Sequence, residues 1–242
     1  GGGGILALQG TCEESGDSLT ARCEVSQTQN GKRYLKESYS DKKSMARKMA
    51  HTVADAIVMA VKGVPGLAST QIVMVGSRKG AKNLYVCDAD GGSLVQLTRD
   101  NAACLAPSWS PDGKQIIYTS FHAGFPDVYS IDLTSNLRTR ISSFPGVNSG
   151  ADISPNGREM VLTLSKDGNP DLYIMSLGAR QAVRLTRTPD AAEASPSWSP
   201  DGRQIVYVSD RSGSPQLYIT DRNGQKFTRL TFRGEQNVAP DW

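Results

Sequence analysis

Trp109, Ile153, Trp198 and Trp242 stand 44, 45 and 44 residues apart. A repeat of that length restricts a chain to one supersecondary unit stacked on copies of itself. The first three positions directly precede Ser110-Pro-Asp-Gly113, Ser154-Pro-Asn-Gly157 and Ser199-Pro-Asp-Gly202. Proline presets φ at the first corner of such a turn, Asp or Asn suits the second, and Gly takes the left-handed position that closes a tight hairpin. An apolar run follows each turn: Gln115–Ser120, Glu159–Leu164 and Gln204–Ser209. A second strand pattern centres on Leu84-Tyr85, Val128-Tyr129, Leu172-Tyr173 and Leu217-Tyr218, and a third on Leu97-Thr98, Ile141-Ser142, Leu185-Thr186 and Leu230-Thr231. Four short strands per 44 residues, separated by tight turns, describe a β-propeller blade. Helical repeats would need a period of 3.6, and leucine-rich repeats are shorter. Trp109 and Trp198 then read as wedges between adjacent blades.

The ends of the repeat are incomplete in complementary ways. The unit from Gln71 lacks its first strand, and the last piece, Asn237–Trp242, supplies only a first strand. Joined, they make one composite blade, the device by which a propeller pins its termini together and removes open edges. The expected fold is mainly β: a β-propeller of about four blades over 71–242, its ring closed by N- and C-terminal strands. A small α/β domain over 1–62 and a linker over 63–70 precede it. In that first domain Ile5–Cys12 and Leu19–Gln27 flank a turn-rich spacer and suggest a hairpin, and Lys32–Tyr39 a third strand. Ser40 or Asp41 then caps a helix whose Met45, Met49, Val53, Ile57 and Val61 recur every four positions, until Gly63 and Pro65 end it.

Composition excludes several classes. At 242 residues the chain can bury roughly 70–75% of its unfolded surface without a metal or disulfide. A hydrophobic fraction of 38% and a charged fraction of 21% fit a globular protein, not a disordered one. The longest apolar run, Ala56–Val61, is far too short to span a membrane. The opening Gly1-Gly-Gly-Gly-Ile-Leu has neither the basic residues nor the apolar length of a signal peptide. Either a leader was removed or the chain begins inside a longer protein. A net charge of +3 with no polybasic block argues against nucleic-acid binding.

Little in the sequence points to chemistry. Of the two histidines, His51 lies within the helix and reads as a partly buried polar residue, and His122 lies in a turn with no acid or nucleophile beside it in sequence; no Gly-x-Ser-x-Gly elbow is present. Asp88, Asp132 and Asp221 follow equivalent strands, so their spacing reflects the repeat and not a calcium loop. The four cysteines lack a paired Cys-x-x-Cys pattern. Cys87, within a blade strand, reads as a buried thiol. No catalytic residue, metal or cofactor is expected.

Taken together, Ala106-Pro-Ser-Trp-Ser-Pro-Asp-Gly-Lys114 and Ser195-Pro-Ser-Trp-Ser-Pro-Asp-Gly-Arg203 resemble the repeats of the TolB family of the Tol–Pal envelope system. The run Ala46–Ile57, passing through Lys62–Thr70 into the first blade strand, is similar to the junction between that family's small α/β domain and its propeller. TolB propellers have six blades where this sequence supplies about four. The leading strands and flexible tail through which the family contacts TolA have no counterpart here. The chain is therefore expected to be a compact relative, a shortened version or a fragment, and TolA contact is not carried over.

The resemblance implies a non-enzymatic periplasmic scaffold that binds peptidoglycan-associated lipoprotein. It would support outer-membrane integrity and envelope constriction at division, with no direct membrane span. The loops entering the innermost strands should form the partner surface, with Asn101, Cys104, Asn148, Ser149, Glu193, Gln236 and Asn237 on its rim. An oxidising compartment would permit a Cys12–Cys23 disulfide if the hairpin turn sets the two opposite. The alternatives are the accessory propeller of a serine peptidase or hydrolase, and a propeller that senses a small molecule in its channel.

Overall fold

The computed structural model describes residues 5–77 and 80–242. The opening glycines of the leader argument, Gly1–Gly4, lie outside them. The chain forms two compact units, one holding the residues up to Ile72 together with Cys87–Leu94, the other Val73–Val86 together with Val95–Trp242.

The first unit is an antiparallel sheet with one helix. Strands β1 (Leu6–Ser15), β2 (Ser18–Gln27) and β3 (Arg33–Lys42) pair in sequence order. Gly16 at φ +57° lets the β1–β2 hairpin turn in two residues. A single 3-10 turn, Lys43–Met45, leads into α1 (Ala46–Lys62). The cap expected at Ser40 or Asp41 is not formed, because β3 pairs with β2 through Lys42 and the helix starts behind Met45 with no side-chain cap. The other end follows the sequence: Gly63 is left-handed at φ +71° and donates to the Met59 carbonyl. Cys23, Val25 and Leu35 form the core, with Val53, Ile57 and Val61 of the helix packed on them.

The hairpin register decides the cysteine question. Cys12 opposes Ala21 and Cys23 opposes Gly10, so the two thiols are diagonal rather than opposite. Both are free, Cys12 exposed and Cys23 buried, which corrects the expected disulfide.

The second unit repeats one sheet. The first holds β4 (Gln71–Ser77), β5 (Lys82–Asp88) and β6 (Val95–Gln96). Three four-stranded sheets follow: β7 (Cys104–Trp109) to β10 (Arg138–Ser142), with β8 (Gln115–Ser120) and β9 (Asp127–Asp132) between them; β11 (Asn148–Ile153), β12 (Glu159–Leu164), β13 (Asp171–Ser176) and β14 (Ala182–Arg184); then β15 (Glu193–Trp198), β16 (Gln204–Ser209), β17 (Gln216–Asp221) and β18 (Phe227–Arg229). In each Ser-Pro-Asx-Gly turn the serine hydroxyl donates to the Asx side chain and accepts the amide that opens the next strand, as in Ser110 Oγ to Asp112 Oδ1 at 2.7 Å and Gln115 N to Ser110 Oγ at 2.9 Å. Gly113, Gly157 and Gly202 are all left-handed.

The wedge reading of the tryptophans holds. Trp198 is buried among Val161 and Leu172 of one sheet and Ile205, Tyr207 and Tyr218 of the next. Ile153 does the same between Ile117 and Val128 on one side and Met160 and Leu162 on the other. Trp109 packs with Leu84 of the first sheet and with Ile116 and Tyr118 of its own.

Each inner strand carries a bulge at a left-handed residue, Ala106, Gly150 or Ser195, where the register to its neighbour shifts. The C-terminal tail copies that shape without the pairing. Ala239 is left-handed at φ +53°, Asp241 accepts from Ser197 Oγ at 3.2 Å, and Trp242 Nε1 donates to the Ser197 carbonyl at 3.1 Å. Asn237–Trp242 thus lies where the inner strand of a following blade would lie, but it forms no strand, and the first sheet keeps three strands. The tail therefore does not complete the first sheet as expected: its polar groups are engaged by the blade before it.

Candidate docking face

Of the three carboxylates that the repeat places at strand ends, Asp132 and Asp221 serve local turns and Asp88 pairs with the helix. Asp132 accepts the amides of Thr134 and Ser135, and Asp221 those of Asn223 and Gln225. Asp88 receives Arg47 Nε at 3.0 Å. Among the described residues no cluster of three His, Cys, Asp or Glu side chains is placed to hold a metal ion.

The opposite ends of the blades are built differently. There, in each of the three four-stranded sheets, the loop between the second and third strands has a left-handed glycine (Gly124, Gly168 or Gly213) followed two residues later by proline. The proline carbonyl accepts the amide of the first residue of the next inner strand, Asn148 N to Pro126 O at 3.0 Å and Glu193 N to Pro170 O at 2.8 Å, and the tail repeats the bond without a strand, Asn237 N to Pro215 O at 2.8 Å. The same loops return to the connection that enters their own blade, through Phe121 N to Ala103 O, Ser165 N to Val147 O and Asp210 N to Ala192 O. One continuous hydrogen-bonded rim results.

Four of the residues expected on that rim act as its fasteners. Cys104, Asn148 and Glu193 are fully buried. Asn148 accepts from Ser142 Oγ and Phe144 N, both at 2.8 Å, and donates to the carbonyls of Phe144 and Gly146. Glu193 accepts from Thr188 Oγ1 at 2.7 Å and is paired with Arg211, whose guanidinium also lies over the Tyr218 ring and donates to Tyr207 Oη at 2.9 Å. Burial raises the Tyr207 phenol pKa. Cys104 contacts Asp100 and Ser120, and burial pushes its thiol pKa up. Asn237, half-buried, bridges Gln216 and the Arg233 carbonyl. The expectation that Cys104, Asn148 and Glu193 present side chains to a partner is therefore corrected. At Asn148 and Glu193, whose amides are already fixed to the preceding proline, the side chain turns into the loop, not out of it.

Asn101 and Gln236 are exposed and Ser149 half-exposed. Because each loop is folded around a different buried group (thiol, amide or carboxylate), the loops differ while the strands beneath them do not. A uniform frame with individually shaped loops along one rim is the construction of a docking scaffold.

Inner-strand polar groups tie the blades together. Asp152 accepts Ser108 Oγ from the preceding blade and Trp198 N from the following one, both at 2.8 Å. Burial raises its carboxyl pKa, opposed by those hydrogen bonds. In the first unit, Arg47, His51 and Asp55 recur every four residues along α1. Arg47 and His51 hold Asp90, and Asp55 accepts the amides of Ala68 and Ser69 at 2.7 and 2.8 Å. Sequence reading passed over this stripe, although its spacing of four was visible. The second partner, at 68–69 or 88–90, was not.

A β-propeller-type scaffold is thus the class that fold and rim define. The family model of the TolB beta propeller domain matches residues 58–242, and the chain belongs to that family. It is 42% identical over 132 residues to the Tol-Pal system protein TolB of Hahella chejuensis, a match covering 53% of this chain and 31% of the relative. To the protein TolB homolog of Chlorobium chlorochromatii it is 33% identical over 140 residues, covering 58% and 32%. The crystal structure of TolB from Acinetobacter baumannii superposes with a TM-score of 0.86 at 33% identity, covering 98% of this chain and 60% of that one. The chain matches about a third of the length of these curated relatives.

Proposed function

We propose that this chain is a non-enzymatic binding scaffold of the Tol–Pal system. It works in the periplasm and docks peptidoglycan-associated lipoprotein on the rim of loops around 99–103, 121–126, 143–149, 165–170, 187–192, 210–215 and 232–237. Through that contact it supports outer-membrane integrity and envelope constriction in division. The observation that carries the reading is the rim itself: loops fastened to each other by proline carbonyls, yet each shaped by a different buried side chain. Similarity to Tol-Pal TolB proteins supplies the partner. No described helix is long and apolar enough to cross a membrane. Contact with a TolA-like inner-membrane protein forms no part of the reading.

The test is capture of the lipoprotein's soluble domain by surface plasmon resonance. Asn101→Glu with Gln236→Glu alters two exposed rim positions and should weaken capture at least tenfold, about 1.4 kcal/mol. Lys114→Glu with Arg158→Glu, on the exposed Ser-Pro-Asx-Gly turns, should leave it unchanged. Weakening by the turn pair alone would overturn the assignment.

A further inference from the structure

The internal repeat provides its own control for what each loop needs. The rim loops 121–126, 165–170 and 210–215 read Phe-His-Ala-Gly-Phe-Pro, Ser-Lys-Asp-Gly-Asn-Pro and Asp-Arg-Ser-Gly-Ser-Pro. Glycine and proline recur because the left-handed turn and the carbonyl fastening require them. The residue between them is under no such demand. It is Asn169 or Ser214 in two blades but Phe125 in the other, with 72% of its surface exposed. Phe121, where the other blades have Ser165 and Asp210, is also exposed. The frame folds around polar residues at both positions, so folding does not explain either phenylalanine.

Phe125 is one wall of a pocket of about 360 Å³ completed by Ala123, Phe144, Pro145 and Gly146. Asp127, Arg140 and Ser143 also line it. Asp127 is buried and receives Arg140 Nη1 at 3.3 Å, while half of the Arg140 side chain stays exposed. A pocket of mixed lining, with Phe125, Phe144 and Pro145 on one part and a half-exposed Arg140 side chain on another, fits an apolar side chain flanked by a carboxylate. Aromatic residues, phenylalanine among them, and arginine are enriched at protein interfaces relative to the rest of the surface.

We infer that this pocket is an anchor site on the rim, taking from a protein partner one apolar side chain with an adjacent carboxylate that pairs with Arg140. The inference rests on the docking face proposed above and locates its anchor. Phe125 supplies contact area and Arg140 selects for the acid.

Acetyl-Asp-Phe-amide is the probe, titrated at millimolar concentration into the ¹⁵N-labelled chain. Saturable shifts are expected at Ala123 and Gly146. They should weaken at least fivefold in Phe125→Ser, and likewise when acetyl-Lys-Phe-amide replaces the probe. No saturable shift, equal shifts in the variant, or equal affinity for the lysine probe each overturn the inference. Because the equivalent residues of other blades are Asn169 and Ser214, the variant should fold as the parent does, and its unchanged spectrum elsewhere checks this. Capture of the lipoprotein's soluble domain separates the two readings. If the dipeptide binds as expected but the parent chain captures no lipoprotein, the anchor stands and the docking partner falls. If Phe125→Ser captures lipoprotein as the parent does and the dipeptide moves neither protein, the anchor falls and the docking face stands.

Discussion

Asp152 joins three blades through one carboxylate, which makes its substitution a sharp test of the inner-strand architecture. Ser108 Oγ reaches Oδ1 and Trp198 N reaches Oδ2. Asp152→Ala removes both acceptors and strands a backbone amide beside the buried Trp198 ring. An unsatisfied buried donor costs roughly 1–3 kcal/mol and a lost hydrogen bond about 1 more, so the variant should lose about 3 kcal/mol. In a chain of this size that lowers the thermal midpoint by roughly 6–12 °C.

Asp152→Asn should behave differently. Its oxygen can keep the Trp198 amide, and its Nδ2 can donate to a Ser108 hydroxyl turned to accept. It also removes a charge that burial disfavours. The folded pKa is raised above the ordinary value of 3.8, so the parent's contribution from this group is fully present below that value. It is lost as pH rises through the folded pKa. The asparagine variant should therefore gain on the parent as pH climbs above about 4 and hold that advantage at pH 7. Calorimetric midpoints from pH 4 to 8 decide the matter. If alanine and asparagine are equally destabilising at pH 7, or the parent–asparagine gap does not vary with pH, the reasoning about this link is wrong.

Arg211→Ala removes the cation from a fully buried Glu193. The expected loss is about 2–4 kcal/mol, less than for a wholly buried pair because Arg211 is partly exposed, and chemical denaturation would measure it. Asp90 has a pKa lowered to about 2, first by the Gly92 amide and then by Arg47 and His51. Its contribution is present above the unfolded value and lost as pH falls toward 2, so Asp90→Asn should flatten the acid limb of the stability curve between about pH 4 and 2. One thiol, Cys12, should react promptly with a thiol reagent in the native protein and the other three only on unfolding. Prompt labelling of Cys87 or Cys104 would contradict their burial.

The blades were legible because their turns are written in residue types with few conformational options. Proline, Asx and glycine at 110–113, 154–157 and 199–202 fix one hairpin each, and the continuous apolar runs that follow match strands buried on both faces. The wedge residues followed from their place before each turn. The helix start was missed because β3 continues to Lys42, and sheet pairing overrode the cap preference of Ser40 and Asp41. The tail was misplaced for a related reason. Its sequence specifies the shape of an inner strand, but not which neighbour takes its hydrogen bonds.

For the rim, sequence position did not reveal which way the strand-start side chains turn. Asn148 and Glu193 sit at strand starts, where a polar residue can face solvent or fold back into its loop. Only the proline carbonyls, 22 or 23 residues earlier in the chain, decide which. The informative signal was available within the repeat itself. Position 125 departs from Asn169 and Ser214 while its neighbouring glycine and proline do not.

Hydrogen–deuterium exchange on the chain with and without the soluble domain of peptidoglycan-associated lipoprotein tests the central claim most directly. The account predicts slowed exchange in peptides spanning 121–126, 143–149 and 187–192, and none at 110–114, 154–158 and 199–203. Unchanged exchange on the rim, or protection confined to the Ser-Pro-Asx-Gly turns, would contradict it.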